Sequence, residues 1–398
     1  MTERRDLNVE FLEKELSEKG KTGKEIKQDS DFIVTPKIAT EQEAISMQLL
    51  ERKPEGGLYH SERNVEILLE NDPILNNYWP QLNDFNGQLE KHIRDVVFDS
   101  KTFDFEKEAP LWSDEDTDFI RKYINQYYKL RPRKLDLNMA ILSVGRLCRY
   151  NPITQYLAVC YKYWDGIPRA EKLFIEFLGV EDDDAGYARE VTKKWLISAV
   201  ISIFKPGTKP NKVLCLLNDC EISKSELLSN LVSPLYFSDS LDCTCLKDII
   251  DNYIYKWIIN IKSEEFEQQY STPKTEQMMI KSLKSFEKAH NHPIRNSYCS
   301  VESKKMQHNA FVITTNKKIN FYPYHSGNWD FWMLECGKTT PSKKIEEFTQ
   351  EYRDQLWGEV VHLCISEGYL NNSYKALLLS KTSIDKATKD GLWFTDKY

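Results

Sequence analysis

Lys224 and Ser225 are the adjacent pair in this sequence best suited to chemistry. An ammonium followed by a hydroxyl at a helix start can hold a terminal phosphate and a Mg²⁺ ion when the two close the spacing G-x-x-x-x-G-K-[ST]. That spacing puts the first glycine position on Asn218 and the second on Ser223, with the loop reading Asn218-Asp219-Cys220-Glu221-Ile222-Ser223. A phosphate loop uses glycine so that backbone N–H groups can turn inward onto phosphate oxygens. This loop has none, and Asp219 and Glu221 put carboxylates where a polyphosphate would lie. A carboxylate about 5 Å from a phosphate costs roughly 1–3 kcal/mol at effective dielectrics of about 20 to 80. Each non-glycine residue forced to positive φ adds strain of order 1 kcal/mol. The expectation is a phosphate-loop fold whose nucleotide site has decayed. Ser223-Lys224-Ser225-Glu226 also spells an S-x-x-E capping box, which gives the Lys-Ser pair a structural reason to be there.

The elements needed to position this loop are legible around it. The apolar run 213–217 reads as a buried strand, and Leu227, Leu228 and Leu231 share one side of the helix that follows. Strand-like runs recur at 253–261 and 310–315, and a helix over 190–204 ends at the turn Lys205-Pro206-Gly207. Strands alternating with helices imply an α/β fold, a mainly parallel sheet flanked by helices.

Composition sets outer bounds. With 398 residues, the chain has room for two or three domains. A net charge of −7 argues against a protein that coats DNA generally, though not against one with a local basic patch. No run approaches the roughly 18 apolar residues of a membrane span. The amino terminus lacks the apolar core of a signal peptide, so no membrane partner is expected and a cytoplasmic location is. Nine cysteines without repeated C-x-x-C spacing read as reduced thiols, with Cys243 and Cys245 the one tight pair. His290 and His292 read as loop residues, and no metal site is expected.

In chain order, residues 1–57 read as a charged, flexible arm, with a weak helix over 8–19 and a second helix expected from Thr40. Residues 58–190 read as a mostly helical domain. Ser61 caps a helix with Val65, Leu68 and Leu69 on one face, and Ser113 opens another with Ile120, Tyr123, Ile124 and Tyr127 at helical spacing. Arg131, Arg133 and Lys134 precede the next helix, and Arg146 and Arg149 end it. Together they form the best basic patch in the chain, readable as phosphate contacts with DNA or as solvated helix ends. Residues 191–340 form the α/β domain. Residues 341–398 read as a helical tail with helices over 345–357 and 359–367.

The order of these landmarks resembles the virulence-associated E (VirE) family, P-loop proteins of phages and mobile elements that are similar to superfamily 3 helicases and primase-helicases. The resemblance covers roughly residues 62–366. It runs through NVEILLENDPIL, LWSDEDTDFIRKYI, NPITQYL, YWDGIPRAEKLFIEFLGVED, REVTKKWLISAVISIFKPGTKP, LYFSDSL, KWIINI, FVITTN and SGNWDFW. The most specific pieces are Trp164-Asp165-Gly166-Ile167-Pro168-Arg169, Lys205-Pro206-Gly207 and Phe237-Ser238-Asp239-Ser240 at their intervals.

The resemblance implies four groups for nucleotide chemistry. The P-loop keeps only Lys224 and Ser225. The second strand should end in acids that hold Mg²⁺; the matching positions are Asn260 and Ser263, with Glu264 and Glu265 close by. The polar tip of the third strand survives as Thr314-Thr315-Asn316. The family's G-N-R-R-F-W, whose arginines resemble phosphate sensors, reads Gly327-Asn328-Trp329-Asp330-Phe331-Trp332, and Arg295 is the remaining arginine near a further family position. Asn218, Ser223, Lys224, Ser225, Asn260 and Asn316 would thus line a vestigial nucleotide site with no catalytic residue and no resident cofactor.

Three readings follow. The first is a catalytically degenerate protein that binds a partner: a helicase or primase relative, a host or rival-element protein, DNA, or further copies of itself. The second is an atypical active ATPase or helicase using ATP and Mg²⁺ through Lys224, Ser225, Glu264 or Glu265, and Asn316. The third is a DNA-binding module working through residues 58–190.

Overall fold

The computed structural model describes residues 47–75, 79–91, 109–207, 212–218, 223–239, 255–262, 291–294, 303–306, 308–315, 330–371 and 379–389. Most of the arm lies outside them, as do Asp219 to Ile222, Cys243, Cys245, Ser263 to Glu265, His290, Arg295, Asn316 and Gly327 to Trp329. The chain forms two compact units, with the described residues up to Pro152 in the first and those from Ile153 on in the second. The reading from sequence put its boundary after residue 190; the helices between 153 and 190 are part of the second unit.

The first unit is built on α1 (Glu62–Asn71), β1 (Pro80–Asn83), β2 (Leu89–Lys91), α2 (Asp114–Tyr128), α3 (Lys134–Leu147) and β3 (Arg149–Tyr150). Ser61 caps α1, its hydroxyl accepting from Asn64 N–H. Ser113 and Asp116 form a full capping box on α2. The three helices bury Val65, Leu68, Leu69, Ile120, Ile124, Leu137, Ile141 and Val144 in one core. Each such side chain contributes about 1.5–3 kcal/mol by leaving water. The strands form a small sheet in the order β2-β1-β3, so the unit is helical with a sheet attached.

Two details differ from the sequence reading. Tyr127 does not join the core stripe of α2 and is exposed. Tyr128 is buried instead, and its hydroxyl donates to Asp72. Asp72 is a fully buried carboxylate at the end of α1. It also accepts from Tyr123 Oη at 3.0 Å and from the N–H groups of Ile74 and Leu75, each at 2.9 Å. The hydroxyl decides which tyrosine turns inward, because a buried carboxylate must be hydrogen-bonded.

The second unit contains α4 (Pro152–Lys162), α5 (Leu173–Leu178), α6 (Tyr187–Phe204), β4 (Lys212–Leu217), α7 (Lys224–Asn230), β5 (Phe237–Ser238), β6 (Ile258–Lys262), β7 (Asn291–Ile294), β8 (Ser303–Met306), β9 (Ala310–Thr314), β10 (Asp330–Glu335), α8 (Gln350–Ser366) and α9 (Lys381–Lys389). Five strands form a wholly parallel sheet in the order β10-β4-β9-β6-β5. This is the expected α/β class, a parallel sheet flanked by helices. The strand expected over 253–261 is shorter and begins at Ile258. His292 lies in β7, paired antiparallel with β8, rather than in a loop.

Helix α6 is buried at every residue from Trp195 to Phe204. The indole of Trp195 donates to Phe311 O in β9, and that of Trp257 donates to Ala199 O in α6. The hydroxyl of Ser202 reaches both Ala199 O and His308 O. These bonds tie α6 to the strands beside it.

Of the two helices expected over 345–357 and 359–367, the start is a short 3-10 turn (Ile345–Glu347) and the rest is one helix, α8, which Gly358 does not break. A Cβ at Gly358 would lie 2.4 Å from Cys160 O in α4 and 2.9 Å from Trp164 Cβ. The glycine is there for close helix approach. No helix among the described residues is long and apolar enough to cross a membrane.

Candidate functional site

Register brings the ends of three strands together. Leu216 of β4 stands beside Thr314 of β9, and Thr314 beside Lys262 of β6. Their carboxyl ends carry Asn218, Thr315 and Lys262 along one edge, with α7 following from β4. In open parallel sheets this is the edge where ligands bind.

Asn218 has φ 63°, in the left-handed region. Asparagine enters that region more readily than other residues with a Cβ, so it makes the turn out of β4 that a glycine would otherwise make. The strain expected from the missing first glycine is therefore small at this position. Ser223 caps α7, its hydroxyl accepting from Glu226 N–H at 3.3 Å, which is the first half of the expected capping box.

Lys224 is buried, and its ammonium donates to the carbonyl of Asn218, folding back on its own loop. Ser225 meets Asn260 of β6: the Asn260 Nδ2 donates to Ser225 Oγ at 2.9 Å. The other side of the carboxamide accepts from Thr314 Oγ1 at 3.1 Å. Asn260 has no exposed surface. Loop helix, second strand and third strand are thus linked by Ser225, Asn260 and Thr314. A carboxamide carries no charge to set against a divalent cation, which takes hard, anionic oxygen ligands. Further along the edge, Lys262 pairs with Asp239 at 2.6 Å.

Of the nucleotide-site residues named from sequence, Asn218 with Lys224 and Ser225 with Asn260 are brought together. Asn316 lies outside the described residues. Asp330 opens β10 opposite Lys212.

The five basic residues singled out from sequence in the first unit do not form one patch. Arg131, Arg133 and Lys134 stand at the start of α3, and Arg146 and Arg149 at its end. Fourteen residues separate the ends of that helix, about 20 Å at 1.5 Å per residue. Arg133 is held by both oxygens of Asp136 at 2.9 Å, and Arg149 by Asp84 at 3.1 Å. Arg131 Nε donates to Asn125 Oδ1.

The segment Trp164 to Arg169 has a role that spacing alone did not reveal. Asp165 N–H donates to Gln355 Oε1, and the Asp165 carboxylate pairs with Arg169 at 2.6 Å. Hydrogen bonding to that guanidinium holds the Asp165 carboxyl down at about 2. Glu359 of α8 accepts from Ala170 N–H at 2.8 Å and from Arg169 N–H. Burial pushes its carboxyl above the ordinary value, and the two N–H bonds only partly offset this. The segment is a scaffold locked onto α8. The motif itself stood out in the sequence, but its partner Gln355 lies 190 residues away.

A parallel sheet whose strand β4 is followed at the carboxyl edge by a helix opening on Lys-Ser is the arrangement of a P-loop-type α/β protein. A model of the virulence-associated protein E-like domain matches residues 157–387, more than half of the chain, and the chain belongs to that family. No curated protein matches it. Among solved structures, an apo structure of the NrS-1 C-terminal region (305–718) is similar with a TM-score of 0.42 and 10% identity, over 79% of this chain and 71% of that one. A second, the A form of the same region, has a TM-score of 0.30 and 12% identity, over 57% and 51%.

Proposed function

We propose that this chain is a catalytically degenerate member of its family that works by binding, in the replication, interference or defence of a phage, prophage or satellite. The observation that carries the reading is Asn260. It is buried and neutral where the family resemblance calls for a metal-holding acid, and both ends of its carboxamide are already engaged by Ser225 and Thr314. Lys224, the residue that would reach a phosphate, turns back onto Asn218 O. These residues do not fit a Mg²⁺-nucleotide, and no step of a hydrolytic reaction is assigned to them. Binding partners consistent with this role are a helicase or primase relative, a host or rival-element protein, DNA, or further copies of the chain. The cytoplasm is where such partners are met. The test is calorimetric titration of the whole protein with ATP and Mg²⁺ beside a Lys224→Ala variant, with ATP turnover measured on both.

One observation favours an active ATPase or helicase instead. Asn218 keeps the left-handed turn of the loop, and Lys224 and Ser225 still open α7. Turnover above the Lys224→Ala control would establish that reading.

A further inference from the structure

Helix α3 is apolar on two opposite sides. One side places Leu137, Ala140, Ile141 and Val144 in the core of the first unit. The other carries Leu135, Met139 and Leu142 at the i, i+4, i+7 spacing of a second helical stripe. Leu142 is covered, but Leu135 is 66% exposed and Met139 41%, and Leu147 at the helix end is 74% exposed. Single exposed leucines are ordinary, whereas Leu135 and Met139, exposed one turn apart on the back of a core helix, mark a contact surface. The same stretch is strongly basic. Residues 131–149 carry five cationic side chains against the one carboxylate of Asp136, in a chain whose net charge is −7.

We propose that this outer face of α3 is a docking site for an acidic amphipathic helix of a partner protein. A helix laid along the stripe would cover Leu135 and Met139 with its apolar residues. Its flanking carboxylates would meet Lys134 and Arg131 at one end and Arg146 at the other. DNA is the poorer occupant, because a phosphate backbone has no use for exposed leucine and methionine. The proposal deepens the reading of the chain as a binding protein by naming a surface and the chemistry of its partner. It does not depend on the state of the nucleotide site.

The experiment uses the whole protein and a fluorescent 18-residue helical peptide with leucines at i, i+4, i+7 and i+11 and glutamates on the flanks. Two control peptides keep the leucines with lysines on the flanks, or scramble the order. The expected result is saturable binding of the acidic peptide at least tenfold tighter than either control. Leu135→Glu with Met139→Glu should weaken it at least tenfold, and both positions are exposed enough for the variant to fold, as circular dichroism would verify. Lys134→Ala with Arg146→Ala should weaken it severalfold, more so at low salt. Equal binding of all three peptides, or no loss in the Leu135/Met139 variant, would overturn the proposal. So would displacement of the peptide by duplex DNA or anionic vesicles whose own binding ignores that variant. Failure here would leave the calorimetric test of ATP untouched, so the two readings fail separately.

Discussion

The carboxamide of Asn260 donates to the hydroxyl of Ser225 across 2.9 Å, inside the edge of the parallel sheet where a metal-binding acid would be expected to face that hydroxyl. The contact joins residues 35 apart in sequence and is completed by Thr314 on the next strand. It makes the end of the sheet a structural joint.

Asn260→Asp tests that joint. The substitution keeps the size and places a carboxylate at a site with no exposed surface. Burying an unpaired charge is costly even after relaxation, so a loss of about 2 kcal/mol is expected in chemical denaturation. Adding Mg²⁺ should not restore it. Recovery of stability with millimolar Mg²⁺ would mean the edge still gathers metal ligands.

Asp72→Ala should be among the most damaging changes in the first unit. It removes the acceptor for two tyrosine hydroxyls and two backbone N–H groups. At roughly 1–3 kcal/mol for each buried donor left unpaired, a loss of about 3 kcal/mol or more is expected. Tyr128→Phe removes one donor and should cost about 1 kcal/mol. Equal effects of the two in urea denaturation would count against the network.

Gly358→Ala sets two effects against each other. Alanine gains about 1 kcal/mol over glycine inside a helix. Its methyl group, though, would sit 2.4 Å from Cys160 O, and overpacking of this kind costs about 1–3 kcal/mol or more. Because the obstacle is backbone, the clash should win and the melting temperature should fall. A rise would show that α4 and α8 are less closely packed than described.

Glu359→Gln carries a pH signature. Burial raises the Glu359 carboxyl above its ordinary value of 4.5 in the folded protein. The folded state then holds this proton more tightly than the unfolded chain does. Its contribution to stability is present below the ordinary value and is lost as pH rises through the raised one. Glutamine can still accept from Arg169 and Ala170 without carrying charge. The variant should therefore be at least as stable as the parent at pH 7, and its advantage should shrink as pH falls toward 4. Melting curves at pH 4, 5.5 and 7 read this directly, and an advantage that grew on acidification would refute it.

Much of this fold was legible where cause and effect are close in sequence. Ser61 and Ser113 announce their helices because caps act over three residues, and the run 213–217 announces its strand because a doubly covered strand is continuously apolar. What escaped depends on contacts between distant segments. Tyr127 and Tyr128 fit the helical stripe about equally, and only Asp72, more than fifty residues earlier, selects Tyr128. Gly358 looks like a break until Cys160 is known to lie against it. At the candidate site, the replacement at Asn218 could be read from spacing, and the one at Asn260 was implied by the family resemblance. That Asn218 takes up the left-handed turn, and that Asn260 bonds to Ser225 and Thr314, could not, since both depend on the register of three strands.

The most direct test of the central claim is calorimetric titration of the whole protein with ATP and Mg²⁺, run beside Lys224→Ala. No binding heat for either protein up to about 1 mM nucleotide, the weak limit near 4 kcal/mol of binding energy, is the result expected. Saturable binding that disappears in Lys224→Ala would contradict it: the loop would still cradle phosphate, and the chain would have to be treated as an ATPase.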